Sequence, residues 1–210
     1  MQCFIYDPIA GGFSCHELRR SDMLPFTEAA PLYLCEFLGS TRCAACWTDR
    51  RFLEAYCTLK QRFPLPFSAC GGFRRGKEGR SLFASRRCAG LTLHVGQCLM
   101  PKERETLRRF AIKSRLFSRV APEHEAPTWV QLEGAPFAAG MLCPFPTVLP
   151  GETGIFVFVL QDALALHGFP PDHGLTGCFS PDTERALALF LKSRGKAYGG
   201  RVTAEIWKLL

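Results

Sequence analysis

The sequence predicts two units in series. An α+β N-terminal domain, a small antiparallel sheet with helices, spans residues 1–133. An all-α three-helix C-terminal domain spans 154–210, and a Gly/Pro-rich linker at 134–153 joins them. Three observations carry this reading. Short alternating or β-rich runs occur among helical stretches before residue 133, which is the pattern of an α+β domain. Residues 134–154 gather Gly134, Pro136, Gly140, Pro144, Pro146, Pro150, Gly151 and Gly154 with no clear periodicity, the composition of a connector. The last 60 residues then show three helical patterns separated by glycine turns.

In the first unit, Thr48 or Asp49 is placed to cap a helix running to about Gln61, with Phe52, Ala55, Tyr56 and Leu59 on one face. Leu65-Pro66-Phe67-Ser68 reads as a short extended run and Gly71-Gly72 as a turn. Leu91 to Val95 alternates like a strand. Pro101 to about Arg115 is a helix with Leu107, Phe110 and Ala111 inward and its basic residues outward, and Thr128 to Leu132 is a second strand. In the last unit, Phe156, Leu160 and Leu164 recur at i+4 from Ile155 to His167, and Gly168 ends the helix. Ser180-Pro181-Asp182 combines a cap, a first-turn proline and a first-turn acid, and the apolar stripe Ala186, Leu187, Phe190 and Leu191 follows, with Gly195 as the stop. Thr203 opens the third helix, which carries Ile206, Trp207 and Leu210. The last two helices share a lead-in: a glycine turn, an apolar residue (Phe179 or Val202) and a hydroxyl cap (Ser180 or Thr203).

With 210 residues and 47% hydrophobic content, the chain has enough apolar surface for a core without disulfides or metals. No run of 18 apolar residues occurs, so no membrane-spanning helix is expected. The start, Met1 to Pro8, has no basic segment followed by an apolar stretch, so no secretory signal peptide is expected. The 11 cysteines are odd in number and irregularly spaced and read as reduced, small core residues. Cys43-Ala-Ala-Cys46 is the one CxxC; it lacks the second pair that a zinc knuckle needs, although Cys35, Cys57 and His16 are conceivable partners. The net charge is +7. Residues 151–210 carry six charges of each sign, so the whole excess lies before Gly151. It concentrates in Arg74, Arg75, Lys77, Arg80, Arg86 and Arg87 and again in Arg104, Arg108, Arg109, Lys113, Arg115 and Arg119. Such a region favours an anionic partner: nucleic acid, a wall polymer or a membrane surface.

The C-terminal segment resembles the three-helix peptidoglycan-binding domain of bacterial wall hydrolases. The matching residues are Val159-Leu160-Gln161 with Leu164 and Gly168, Thr176-Gly177-Cys178-Phe179 with Thr183, Ala186 and Phe190, then Gly195, and Gly200-Arg201-Val202-Thr203 with Trp207 and Leu210. Leu191 departs from the usual Gln, and Thr176 from the usual Asp.

The N-terminal domain resembles the zinc D,D-carboxypeptidase family, which cuts peptidoglycan stem peptides. Four stretches carry the likeness, in the family's order: Phe13-Ser14-Cys15-His16-Glu17-Leu18, Gly71-Gly72-Phe73-Arg74, Ser85 to His94, and Trp129-Val130-Gln131-Leu132-Glu133. The family's His, Asp and His zinc ligands fall at Arg87, His94 and Gln131, and its catalytic Glu at Thr128. Arginine stays protonated and offers no lone pair, an amide oxygen is a poor zinc donor, and one histidine does not hold zinc. Threonine is no general base near neutral pH. The resemblance therefore implies a pseudoenzyme with no catalytic residue and no zinc. Its Arg74 and Arg87 match a carboxylate such as the end of a stem peptide, unless Arg87 pairs with a nearby acid and the cleft is closed.

The expected protein is a noncatalytic peptidoglycan-binding protein, synthesised in the cytoplasm and delivered to the wall by a non-Sec route, as in phage-tail or sporulation settings. One alternative is an active wall peptidase with a rearranged metal site using His94, His124, Glu123 or Glu125. Another is a basic interaction or nucleic-acid-binding protein. The arginine clusters lack interleaved aromatics, which disfavours nucleic acid.

Overall fold

The first strand, β1 (Gln2–Asp7), pairs antiparallel with β2 (Gly12–Glu17) and parallel with β3 (Ala45–Asp49), giving the order β2-β1-β3. The computed structural model describes residues 1–75, 86–134 and 145–210. The chain is an α+β fold with two small three-stranded sheets and, among the described residues, six α-helices. The second sheet has the order β4-β6-β5, with β4 (Thr92–Val95), β5 (Arg119–Val120) and β6 (Val130–Glu133) all antiparallel. The antiparallel expectation holds for this sheet and fails for the first, where β1 and β3 run parallel.

A five-residue helix, α1 (Leu34–Leu38), precedes β3. The helix α2 (Arg50–Arg62) follows β3 directly; the Asp49 side chain accepts from the Arg51 N–H and caps it, and Phe52, Leu53, Tyr56 and Leu59 are buried. The expected extended run at 65–68 forms no strand; the chain reaches the sheet only at Ala69, which bridges to Val95. The helix α3 (Pro101–Ser114) buries Leu107 and Ala111 as expected. Its basic face is not wholly outward. Arg108 is only 4% exposed, and its guanidinium donates to the backbone carbonyls of Ala121, Ala126 and Trp129. A buried loop needs donors for its carbonyls, and this arginine supplies them for the β5–β6 connection.

The last three helices are α4 (Ile155–Leu166), α5 (Pro181–Ser193) and α6 (Ala204–Leu209). Ala186, Leu187, Phe190 and Leu191 of α5 are buried, as are Phe179 and Val202 from the two lead-ins, and Trp207 from α6. Ser180 and Thr203 occupy the N-cap positions without a side-chain cap bond; the Ser180 hydroxyl donates instead to the Asp182 carboxylate. Gln161 of α4 ties the segment together: its Oε1 accepts from the Thr176 and Gly177 N–H groups and its Nε2 donates to the Cys178 carbonyl and the Thr183 hydroxyl. Within the linker, residues 135–144 lie outside the described set. Residues 145–153 pack on the C-terminal helices: Val148 bridges to Val202, Thr153 bridges to Cys178, and the Phe145 ring lies 4.9 Å from Trp207.

The ten residues Ile155–Leu164 of α4 are all buried. A helix apolar on every side needs neighbours on every side. One side meets α5, and the other lies on the N-terminal sheet, where the Phe158 ring sits 4.8 Å from Phe4, 5.0 Å from Phe13 and 5.2 Å from Trp47. One hydrophobic core therefore runs from Cys3 to Leu210.

Candidate functional site

The residues matched to a metal centre, far apart in sequence, converge on one face of the second sheet. His94 of β4 and Gln131 of β6 are direct cross-strand partners. Arg87 arrives from the 3₁₀ turn Arg86–Ala89, which is fastened to β3. Trp47 Nε1 donates to the Cys88 carbonyl (2.7 Å) and Thr48 Oγ1 to the Gly90 carbonyl (2.7 Å). Gly90 has φ +66°, and a Cβ there would lie 1.8 Å from the Trp47 carbonyl oxygen, so only glycine fits. The turn Gly71-Gly72-Phe73-Arg74 is stitched to the same place. The Cys70 N–H donates to the His94 carbonyl (2.8 Å), the His94 N–H to the Gly71 carbonyl (3.0 Å) and the Arg74 N–H to the Arg87 carbonyl (3.2 Å).

The side chains form a continuous polar chain. Arg87 Nη2 lies 2.9 Å from His94 Nε2 and 3.3 Å from Nδ1. Gln131 hydrogen-bonds the same ring, and its Nε2 donates to Glu133 Oε1 (2.7 Å). Arg119 Nη1 donates to that same oxygen (2.8 Å) and pairs through Nη2 with Glu125. Trp129 stacks on His94, with ring centroids 4.8 Å apart and planes 21° apart. His94 is 4% exposed. Burial first, and then the Arg87 charge, lowers its pKa to about 4, so the ring is neutral at pH 7 and accepts from the guanidinium. The Arg87 pKa is lowered by burial and by the neighbouring Arg74. Arg87 in this position opposes both a bound cation and protonation of His94. Among the described residues no carboxylate pairs with Arg87.

These residues do not fit zinc. A guanidinium nitrogen lies at hydrogen-bonding distance from the histidine nitrogen that would have to ligate, and the other two positions offer an arginine and an amide. Thr128 is exposed on the loop before β6. Glu123, His124 and Glu125 are exposed on the β5–β6 connection, and Glu125 is paired with Arg119. Among the described residues no group of three or more His, Cys, Asp or Glu is arranged to hold a metal ion. Of the CxxC pair, buried Cys46 is the strand partner of Cys3, and a hydrogen bond with Cys3 together with burial holds its thiol protonated.

Arg74 and Arg87 line an open cleft of about 580 Å³. Sequence reasoning placed these two arginines together. It missed Trp47 and Thr48, whose side-chain bonds set the Arg87 turn, and Arg119, which completes the polar chain; Gly90, tightly apposed to β3, was the available signal for the first two. No protein-family model, curated protein or solved structure matches the chain. No helix among the described residues is long and apolar enough to cross a membrane.

Proposed function

We propose that the protein is a noncatalytic cell-wall-binding protein: a D,D-carboxypeptidase-like domain without metal or general base, carrying a peptidoglycan-binding module at its C-terminal end. The observation that carries this reading is the convergence of Arg87, His94 and Gln131. Residues up to 44 positions apart meet where the resemblance requires a ligand cluster, yet the chemistry there is a fixed cation against a neutral imidazole. A guanidinium held in an open cleft beside a second one receives a carboxylate bidentately and offers nothing to activate water. A peptide stem ending in D-alanine supplies such a carboxylate. Three helices in the expected order, with α4 joined through Gln161 to the Thr176 and Gly177 N–H groups that lead into α5, favour the wall-binding assignment for residues 154–210.

The test is co-sedimentation of the full chain with purified sacculi, with released D-alanine measured in parallel. The protein is expected in the pellet with no D-alanine released. An Arg74→Ala/Arg87→Ala variant is expected to retain part of the binding, through the C-terminal module, and to lose affinity for a soluble pentapeptide stem. Protein left in the supernatant, or catalytic release of D-alanine, overturns the reading.

A further inference from the structure

The cleft containing Arg74 and Arg87 does not end there. It shares Ser40, Arg42 and Cys43 with a second cleft of about 710 Å³ whose far wall carries Arg19 and Arg20. The two form one groove bordered by six arginines: Arg19, Arg20, Arg42, Arg74, Arg75 and Arg87. Their roles differ. Arg75 is committed to Asp162. Arg20 donates to the Gly39 and Thr41 carbonyls and so shapes the loop that forms the shared floor. Arg19, Arg42 and Arg74 are exposed, and their guanidinium groups make no side-chain bond among the described residues. No carboxylate among the described residues lines either cleft.

A single stem-peptide carboxylate would satisfy the Arg74 and Arg87 end and leave the rest unmatched. Uncompensated guanidinium groups along a connected groove fit a ligand that presents anions in succession, and arginine matches phosphate as well as carboxylate geometry. The described lining contains no aromatic side chain on which a base would stack, so the groove lacks what single-strand nucleic-acid binding requires. The Ser40 hydroxyl suits a hydroxyl-bearing backbone, while the Thr41 hydroxyl donates to the Phe73 carbonyl.

We propose that this groove holds a chain of polyol units joined by phosphodiesters, the anionic polymer chemistry of bacterial walls. The choice of polymer rests on the wall-binding reading; the anionic repeat rests on the groove itself.

The probe is a synthetic glycerol phosphate hexamer, titrated calorimetrically into the full chain at several salt concentrations. Binding is expected to weaken steeply as salt rises, and to fall about tenfold or more in Arg42→Glu and in Arg19→Glu. Both side chains are exposed, so both variants should melt like the parent. Equal affinity in parent and variants, or no salt dependence, overturns the proposal. So does a single-stranded oligonucleotide of matched charge binding as tightly as the hexamer, which reassigns the groove to nucleic acid. Sacculi stripped of phosphate polymers separate the two readings. Equal binding of parent and Arg19→Glu to them supports a role for the Arg19 end of the groove separate from the stem-peptide end at Arg74 and Arg87. If the parent does not bind them, the wall reading fails, and the hexamer titration still decides the groove.

Discussion

Arg75 and Asp162 join the N-terminal part of the chain to α4: Arg75 Nη2 lies 2.6 Å and Nε 2.9 Å from Asp162 Oδ1, and the Asp162 side chain is 1% exposed. Asp162 sits in α4, within the fully buried run Ile155–Leu164. Burial pushes its carboxyl up, and Arg75 pulls it back. A buried carboxylate stripped of the cation paired with it is costly, whereas removing both partners is not. Arg75→Ala is therefore expected to lower unfolding free energy by about 3 kcal/mol. The double variant Arg75→Met/Asp162→Leu is expected to recover most of that. Urea denaturation of the three proteins checks the asymmetry; equal losses in both variants would contradict it.

His94 gives the fold a defined acid sensitivity. Its pKa is lowered from 6.5 to about 4 in the folded chain, so the unfolded chain binds a proton first as pH falls. The stability that follows from the neutral ring is fully present above about pH 6.5 and is lost progressively between there and about pH 4. With screening allowed for, the loss amounts to about 2 kcal/mol. Denaturation midpoints at pH 7 and pH 4.5 should diverge in the parent and diverge less in His94→Gln. The same slope in both proteins would place the acid sensitivity elsewhere.

The repeated glycine lead-ins of α5 and α6 are not equivalent. Gly177 and Gly200 have φ of +70° and +76°, but a Cβ at Gly177 would lie 2.2 Å from Phe13 Cε2, while one at Gly200 meets nothing within 4 Å. Gly200→Ala is expected to cost about 1 kcal/mol of backbone strain. Gly177→Ala adds displacement of the Phe13 ring from its place beside Phe158 and is expected to cost about 3 kcal/mol. Thermal melting of the two variants checks the difference.

The C-terminal helices were legible because period, glycine stop and lead-in agree at each of them. What the i+4 repeat of α4 did not say is that Val157, Phe158 and Val159 complete an apolar surface all round; that pattern meant burial against the N-terminal sheet as well as α5. The strands of that sheet were missed. The residues of β3, Ala45–Asp49, are all buried, so they show no alternation, and β1 hides its alternation in Cys3 and Ile5, one of them read as a scattered thiol. The α3 pattern gave the right helix and the wrong place for Arg108, because the carbonyls it satisfies belong to a loop 13 to 21 residues away. At the site, the positions of Arg87, His94 and Gln131 followed from the resemblance. Their extension through Glu133 to Arg119 depends on the register of β6 with β5, which spacing alone does not give.

Arg87, His94 and Gln131 form a cation–imidazole–amide chain on one face of the second sheet, and the proposed function requires that they hold no zinc. Elemental analysis of the full chain purified without chelators tests it most directly. Zinc is expected far below one equivalent and unchanged in His94→Ala. About one zinc per chain, lost in His94→Ala, would contradict it.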